Sequence, residues 1–142
     1  SPTAPSPPPQ SVSPNHPAPT EVRYEQFYGP LFAVSLEQVM ANPLNYNFVL
    51  PLPFSLSIDH IRAHGLKQEG LFRISPNAST VSTVVSKFNN GQKVDFNEYP
   101  GSVDLAASIL KLFLRQIPDS LLTHTLLPSF LATTQIADPK QR

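Results

Sequence analysis

Two short segments of this sequence carry cations in settings that could contact an anionic partner. Arg73 lies between the apolar residues Phe72 and Ile74, shortly after a glycine, which could expose its guanidinium on a loop. Lys111 and Arg115 follow about forty residues later, one helical turn apart. Like charges at this spacing repel mildly, a cost that an anionic or carbonyl-rich partner would remove. The neighbouring residues alone favour an ordinary surface arginine at position 73, because exposed arginines are common.

The helix that would carry Lys111 and Arg115 has an unusual distribution of polar residues. Eight of the ten residues from Leu105 to Leu114 are apolar, so the helix needs neighbours on most sides. Its polar residues recur at steps of four, three and four, which places them on one helical face. They are Asp104, Ser108, Lys111 and Arg115. The alternative is a solvated face whose two cations complement the helix dipole.

The remaining sequence predicts an all-α chain. Ser35 and Gln38 have the spacing of a capping box, and Gly65 suits a left-handed position after a helix. If residues 72–74 are extended, Phe72 and Ile74 turn inward and Arg73 outward. Loops are predicted at 27–34, 42–53 and 95–101. The predicted helices cover residues 35–41, 53–64, the region of Val81, Val84, Val85 and Phe88 up to Gly91, 102–116 and 126–133.

Composition limits the possible functions. The chain has 142 residues, no cysteine, a net charge of zero and a sequence pI of about 6.9. This balance predicts neither a nucleic-acid partner nor an anionic membrane partner, and the absent cysteines exclude disulfides and thiolate metal sites. The most apolar stretch is too short to cross a membrane and is interrupted by prolines. We expect a cytoplasmic protein that does not insert into membranes.

The first twenty residues differ from the rest. They hold eight of the seventeen prolines and no charged residue, a composition that favours solvated polyproline II over a packed core. We therefore expect residues 1–26 to form a disordered linker and residues 27–142 to form a helical domain. The P-x-x-P spacing within residues 1–20 also leaves open a ligand for a proline-binding domain.

Taken together, the two cationic segments resemble the RhoGAP domain, which activates Rho-type small GTPases. Gly70, Phe72 and Arg73 match its G-x-F-R motif, and Lys111 and Arg115 match its K-x-x-x-R pair. A weaker likeness to the F-G-V-x-L entry of the domain starts at Phe32, and the resemblance extends over about residues 32–133.

The resemblance implies a role for each of these residues. Arg73 would be the arginine finger inserted into the partner's nucleotide site, and Lys111 and Arg115 would brace the finger loop and contact the GTPase, together with Gly70 and Phe72. The partner would be a Rho-family GTPase in its GTP-bound state, which supplies the GTP and the Mg²⁺ and recruits the chain to membranes. The chain itself would be an activator in signal transduction, with no cofactor, no metal and no independent active site.

Two departures from the family pattern affect this expectation. Pro76 stands where the family has glycine or another small residue, which could re-aim Arg73. Further helices of the domain, one with a GTPase-contacting asparagine, have no counterpart. We therefore expect the N-terminal part of a longer RhoGAP domain, or a truncated product of marginal stability, in either case a bundle incomplete at its C-terminus. The alternative function is a non-catalytic module that binds a GTPase, or a proline-rich adaptor.

Three further patterns are considered and set aside. His60 and His64 have the i, i+4 spacing of zinc ligands, but a third ligand is missing. The S-x-x-K of serine acyl-enzymes occurs from Ser108 to Lys111 without its companion motifs. A glycosylation sequon starts at Asn77, where a helix N-cap is expected.

Overall fold

The computed structural model describes Tyr24 and residues 26–136, which fold into helices with no β-strand among them. The all-α prediction is confirmed, whereas the predicted N-terminal linker lies almost entirely outside the described residues. The α-helices are α1 (Leu36–Ala41), α2 (Leu52–His64), α3 (Ala78–Asn89), α4 (Ser102–Gln116) and α5 (Leu127–Thr133), and short 3-10 turns cover Pro43–Asn45 and Phe96–Glu98. None of the helices in these residues has both the length and the hydropathy needed to cross a membrane.

The start of α1 has the capping box expected from the sequence. The Ser35 hydroxyl accepts a hydrogen bond from the backbone N–H of Gln38 at 3.2 Å, and the Gln38 side chain accepts one from the backbone N–H of Ser35 at 3.3 Å. Two N–H groups without helical partners are thereby satisfied. The polar pair alone therefore predicts the helix start correctly.

The loop between α1 and α2 is more ordered than predicted. Asn45, at the end of a 3-10 turn, is almost fully buried. Its side-chain oxygen accepts a hydrogen bond from the Leu52 N–H at 2.6 Å, and its amide nitrogen donates to the Leu50 carbonyl at 3.2 Å. Asn45 thus satisfies the first turn of α2, which begins at Leu52 with prolines on either side.

Helices α2 and α4 pack against each other over their length and form the centre of the molecule. The left-handed conformation predicted for Gly65 is wrong, because its φ is −114°. A Cβ atom at Gly65 would lie 2.6 Å from Cγ1 of Val103 and 3.1 Å from the Ile61 carbonyl oxygen. A glycine is therefore required here for the close approach of α2 to the start of α4.

Helix α4 supplies the largest part of the core. Leu105 and Ile109 have no exposed surface, and Phe113 is nearly as buried. The Phe32 ring packs edge-on against Phe113, with 5.6 Å between centroids, and also contacts Phe88 of α3 at 5.9 Å. Aromatic pairs favour such tilted geometries. The core therefore joins the N-terminal segment, α3 and α4.

The segment before α1 is held in place by the side chains of Asn89 in α3 and of Asn42, which directly follows α1. The Asn89 carboxamide oxygen accepts hydrogen bonds from the N–H groups of Leu31, at 2.9 Å, and Phe32, at 3.1 Å. The Asn42 amide nitrogen donates to the Gly29 carbonyl at 3.3 Å. Leu31 is completely buried as a result. Leu31 and Phe32 therefore belong to the same core as α4.

Helix α5 lies at the edge of the bundle and buries none of its side chains among the described residues. It and the preceding segment leave large apolar side chains exposed: Leu121, Leu122, Leu126, Leu127, Phe130 and Leu131. A large exposed apolar surface of this kind is typical of a region that contacts another apolar surface. The helix predicted at 126–133 is thus present, but it adds little to the core.

Candidate functional site

Arg73 lies at the end of a tight turn that connects α2 to α3. The Gly70 carbonyl accepts hydrogen bonds from the N–H groups of Arg73 at 2.9 Å and of Ile74 at 3.1 Å. Gly70 has a φ of +78° and Phe72 a φ of +69°. A positive φ at the third residue is characteristic of a type II turn, in which glycine is the usual occupant. Phe72 adopts it at a cost of order 1 kcal/mol, which the surroundings must offset.

The predicted alternation of side chains around Arg73 is wrong. Phe72 and Ile74 are 44% and 45% exposed, and Arg73 is exposed as well. The reason is the turn, because alternate residues face opposite sides only in an extended chain. A Cβ atom on Gly70 would lie 3.0 Å from Cδ1 of Ile74 and 3.3 Å from Nη2 of Arg73. Both side chains therefore fold back over Gly70, where a larger residue would displace them.

Lys111 connects α4 directly to this turn. Its ammonium group donates a hydrogen bond of 2.6 Å to the backbone carbonyl of Phe72, the residue before Arg73. The charge of the donor makes this bond stronger than a neutral one. It also stabilises the backbone unit whose φ is unfavourable. The structure therefore brings together Gly70, Phe72, Arg73 and Lys111 from the two separate sequence segments.

A second hydrogen bond joins the same two elements. Asp104, at the start of the polar face of α4, accepts a bond of 2.7 Å from the side-chain nitrogen of Gln68, just before the turn. Gln68 was not predicted as a site residue, because nothing in its local pattern indicates a partner on another helix. The predicted polar face of α4 therefore holds the loop at two points, Gln68 and Phe72, which are four residues apart.

The cations of the site are not neutralised by carboxylates. In the described part of the chain the ion pairs are Lys87 with Glu98 and His124 with Asp119. Neither pair includes Arg73, Lys111 or Arg115, all of which are exposed. Arg115 lies one helical turn beyond Lys111. The structure records no contact between Arg115 and the Gly70–Arg73 loop. No carboxylate among the described residues therefore pairs with these three cations.

A groove of about 580 Å³ opens beside the turn, between α3 and α4. Pro76 lies on its rim, so the proline that departs from the family pattern contributes to the groove wall. None of its lining residues is charged: Ser75, Pro76, Ala78, Val81, Ser82, Val85, Ser86, Ser108, Leu112 and Gln116. The positive face thus borders a neutral, hydroxyl-rich surface.

His60, the first histidine of the possible zinc pair, is packed within the fold. His60 is buried against the Phe96 ring, with 5.3 Å between centroids, and its Nε2 lies 2.9 Å from the Ser102 hydroxyl. Burial lowers the pKa of His60, and the neighbouring His64 lowers it further, against a smaller opposing effect of Asp95. Among the described residues no three potential ligands come close enough to hold a metal ion.

The two other patterns also involve residues with local partners. Lys111 of the S-x-x-K pattern is bonded to Phe72 instead of to Ser108. The Asn77 side chain caps α3, because its oxygen accepts hydrogen bonds from the N–H of Ser79 at 2.8 Å and from the Ser79 hydroxyl at 2.6 Å. Asn77 therefore stands at the N-cap position that the sequence predicts.

Comparison with known proteins identifies the family. The profile of the RhoGAP domain matches residues 51–142. Rho GTPase-activating protein 8 of Mus musculus is 34% identical over 132 residues, which cover 93% of this chain and 28% of that protein. Rho GTPase-activating protein 1 of Homo sapiens is 40% identical over 114 residues, covering 78% of this chain and 25% of that protein.

A solved structure shows the same fold. The crystal structure of human Rho GTPase activating protein 15 superposes with a TM-score of 0.64 at 20% identity, covering 79% of this chain and 52% of that one. The chain thus spans about a quarter of the length of the two curated relatives. Its fold, its profile match and these relatives agree, and the chain belongs to the RhoGAP domain family.

Proposed function

We propose that this chain accelerates GTP hydrolysis by a Rho-family small GTPase in its GTP-bound state, with Arg73 as an arginine finger supplied in trans. The named relatives are Rho GTPase-activating proteins, and Arg73 lies exposed on a turn. The observation that carries the proposal is the hydrogen bond from Lys111 to the Phe72 carbonyl. It fixes the backbone next to Arg73, so the arginine side chain starts from a defined position from which it can extend towards a partner.

In the proposed reaction, both proteins contribute groups to the active site. The GTPase holds the GTP and the Mg²⁺ and positions the attacking water, and this chain adds one positive charge where negative charge develops on the phosphoryl oxygens. Arginine suits this task because its fork of donors is planar and permanently charged. A finger supplied in trans accelerates hydrolysis by about 10³- to 10⁵-fold. The chain would therefore act as an activator, with no cofactor of its own.

Phosphate release from a panel of GTP-loaded Rho-type GTPases tests the proposal. The wild-type chain should accelerate hydrolysis by at least one of them, and Arg73→Ala should lose at least about 10³-fold of that acceleration. Arg73→Lys should also be impaired, because an ammonium group lacks the fork. Arg62→Ala is the matched control, since Arg62 is an exposed arginine in the last turn of α2. Equal activity of Arg73→Ala and wild type would disprove the finger.

A second candidate function is binding without acceleration. The exposed apolar side chains on and before α5 indicate missing packing contacts, which could leave the turn insufficiently fixed for catalysis. Binding of a GTP-loaded GTPase with no acceleration by wild type or Arg73→Ala would favour this function.

We further propose that the chain acts in signal transduction in the cytoplasm and is recruited to membranes by its GTPase. The prolines of residues 1–20 are a proposed ligand for a proline-binding domain.

A further inference from the structure

Ser75 is exposed, and its hydroxyl has no hydrogen-bond partner within the part of the chain that the structure describes. It lies between the Gly70–Arg73 turn and α3, in a stretch of three residues without helix or strand. Every residue from 72 to 79 except Pro76 is exposed. No side chain or backbone group among the described residues bonds to the Ser75 hydroxyl. A following proline also restricts Ser75 to extended backbone conformations. The hydroxyl is therefore available to an enzyme that reads a short extended segment.

The Ser-Pro dipeptide recurs in this chain. It occurs at Ser1, Ser6 and Ser13 in the proline-rich segment and at Ser75. Proline-directed serine kinases require this dipeptide. Ser75 is the member of the set that lies within the folded domain and beside the proposed finger.

The surroundings of Ser75 favour a phosphate. The Cα atoms of Ser75 and Arg73 are at most about 7 Å apart, because the residues are two positions apart. The long side chain of Arg73 can span this separation, so its guanidinium can reach a phosphate on Ser75. Arg73 and Lys111 have no carboxylate partner among the described residues. Ser75 also precedes the Asn77 cap of α3 by two residues, and the positive end of a helix dipole attracts an anion. A phosphate there would meet two sources of positive potential.

We propose that Ser75 is a phosphorylation site for a proline-directed serine kinase and that its phosphate pairs with Arg73. The Ser75 hydroxyl oxygen attacks the γ-phosphorus of MgATP, the bond from that phosphorus to the β–γ bridging oxygen breaks, and ADP leaves. The hydroxyl proton passes to the catalytic carboxylate of the kinase. The product carries a charge of about −1.5 to −2 at neutral pH.

This modification would switch the proposed activity off, an inference that rests on the proposed function. A paired guanidinium is held on its own loop, and the added anion would repel the phosphates of the bound nucleotide. Both effects act on the complex with the GTPase, so the acceleration of hydrolysis should fall by at least tenfold.

The first experiment tests the modification itself. The full chain is incubated with MgATP and a proline-directed kinase, and the phosphorylated residues are mapped by mass spectrometry. We expect phosphate on Ser75 in the wild type, and its loss from that position in Pro76→Ala while the three N-terminal serines are still modified. Phosphate on the N-terminal serines with none on Ser75 would overturn the proposal.

The second experiment tests the ion pair without a GTPase. Phosphoserine is incorporated at position 75 by site-directed translation, and its second pKa, ordinarily about 6, is measured by ³¹P NMR titration. Pairing with Arg73 should lower this pKa by about half a unit or more, and Arg73→Gln should restore it. An unshifted pKa would overturn the pairing. A lowered pKa that persists in Arg73→Gln would also overturn the pairing, because the N-terminal end of α3 would then hold the phosphate.

The third experiment separates this inference from the proposed function. Phosphate release is compared for the unmodified chain, the chain with phosphoserine at position 75 and a control chain with phosphoserine at position 129, an exposed position of α5. An active unmodified chain and an unchanged phospho-Ser75 chain would overturn the switch and leave the function standing. An inactive unmodified chain would overturn the proposed function, and the switch with it, whereas the first two experiments would still decide the modification and the pairing.

Discussion

The ammonium group of Lys111 and the carbonyl oxygen of Phe72 lie 2.6 Å apart, although the two residues are 39 positions apart in sequence. Phe72 has a positive φ of +69°, although it is not a glycine. A charged donor at its carbonyl therefore stabilises the strained part of the loop. Arg73 follows directly, so a distortion at Phe72 would displace the guanidinium.

Replacement of Lys111 by methionine should impair activity more than stability. Methionine keeps the apolar stem but removes the donor, so the backbone before Arg73 is no longer fixed. The GTPase acceleration should fall by roughly 10- to 100-fold, or about 1.4–2.7 kcal/mol of barrier. The free energy of unfolding should change by less than about 1 kcal/mol, because Lys111 is exposed. Phosphate release and urea denaturation measure the two effects. Lys93→Met, at another exposed lysine, is the control, and equal activity of the two variants would contradict the role of Lys111.

Replacement of Gly65 by alanine should destabilise the fold. Such a change often stabilises a protein by about 0.4–1 kcal/mol through the unfolded state. Here the new Cβ would lie 2.6 Å from Cγ1 of Val103, and overpacking costs about 1–3 kcal/mol. Urea denaturation should therefore show a lower free energy of unfolding.

The double variant Gly65→Ala/Val103→Ala is the control for that prediction. Removal of Cγ1 provides space for the new methyl group, so the double variant should lose less stability than the sum of the single variants. Additive losses would show that the contact is not responsible.

The stability of the wild type should fall as the pH is lowered below about 6.5, in part because of His60. Burial lowers the pKa of His60 in the folded state, so the unfolded state takes up a proton first as the pH falls. The contribution of His60 to the free energy of unfolding is fully present at pH values above its pKa in the unfolded state. It is lost as the pH falls towards its lower pKa in the folded state.

His60→Gln should reduce this dependence, since glutamine keeps a donor near Ser102 but does not titrate. Urea denaturation at pH 8 and at pH 5 of both proteins measures the difference. If the stability of His60→Gln depends on pH as strongly as that of the wild type, other groups cause the loss of stability at low pH.

Removal of residues 1–50 should prevent folding, even though the family profile begins at residue 51. The deletion removes Leu31, Val39 and Leu44, which are at most 1% exposed in the common core. It also leaves the Asn89 carboxamide without its two N–H donors. Circular dichroism and thermal unfolding should show loss of the cooperative transition. A chain without residues 1–20 is the control and should retain it, and a cooperative transition in the shorter protein would contradict the prediction.

Local signals predicted several elements well. The limits of α4 agree with the predicted helix over 102–116, because an apolar run and the nearby Pro118 define it. The Ser35 capping box was also predicted, since its two residues are close in sequence. The conformation of Gly65 was not, because its cause is Val103 on another helix. The burial of Ser57 and His60 on α2 likewise depends on which face α4 covers.

The site divides in the same way. The resemblance indicated that Lys111 lies beneath the loop of Arg73, but the sequence did not identify the Phe72 carbonyl as its acceptor. The alternation expected around Arg73 failed because a turn, held by the Gly70 carbonyl, replaces an extended segment. Gln68 was missed since its partner Asp104 is distant in sequence.

The two hydrogen bonds from α4 to the loop, through Gln68 and Phe72, have a kinetic consequence. They order the residues before Arg73 when the protein folds, so little backbone entropy is left to lose when a partner arrives. The loop should therefore engage its partner without rearrangement, as in pre-organised complexes. Changes to Gln68 or Phe72 should then alter how long the complex lasts more than how fast it forms.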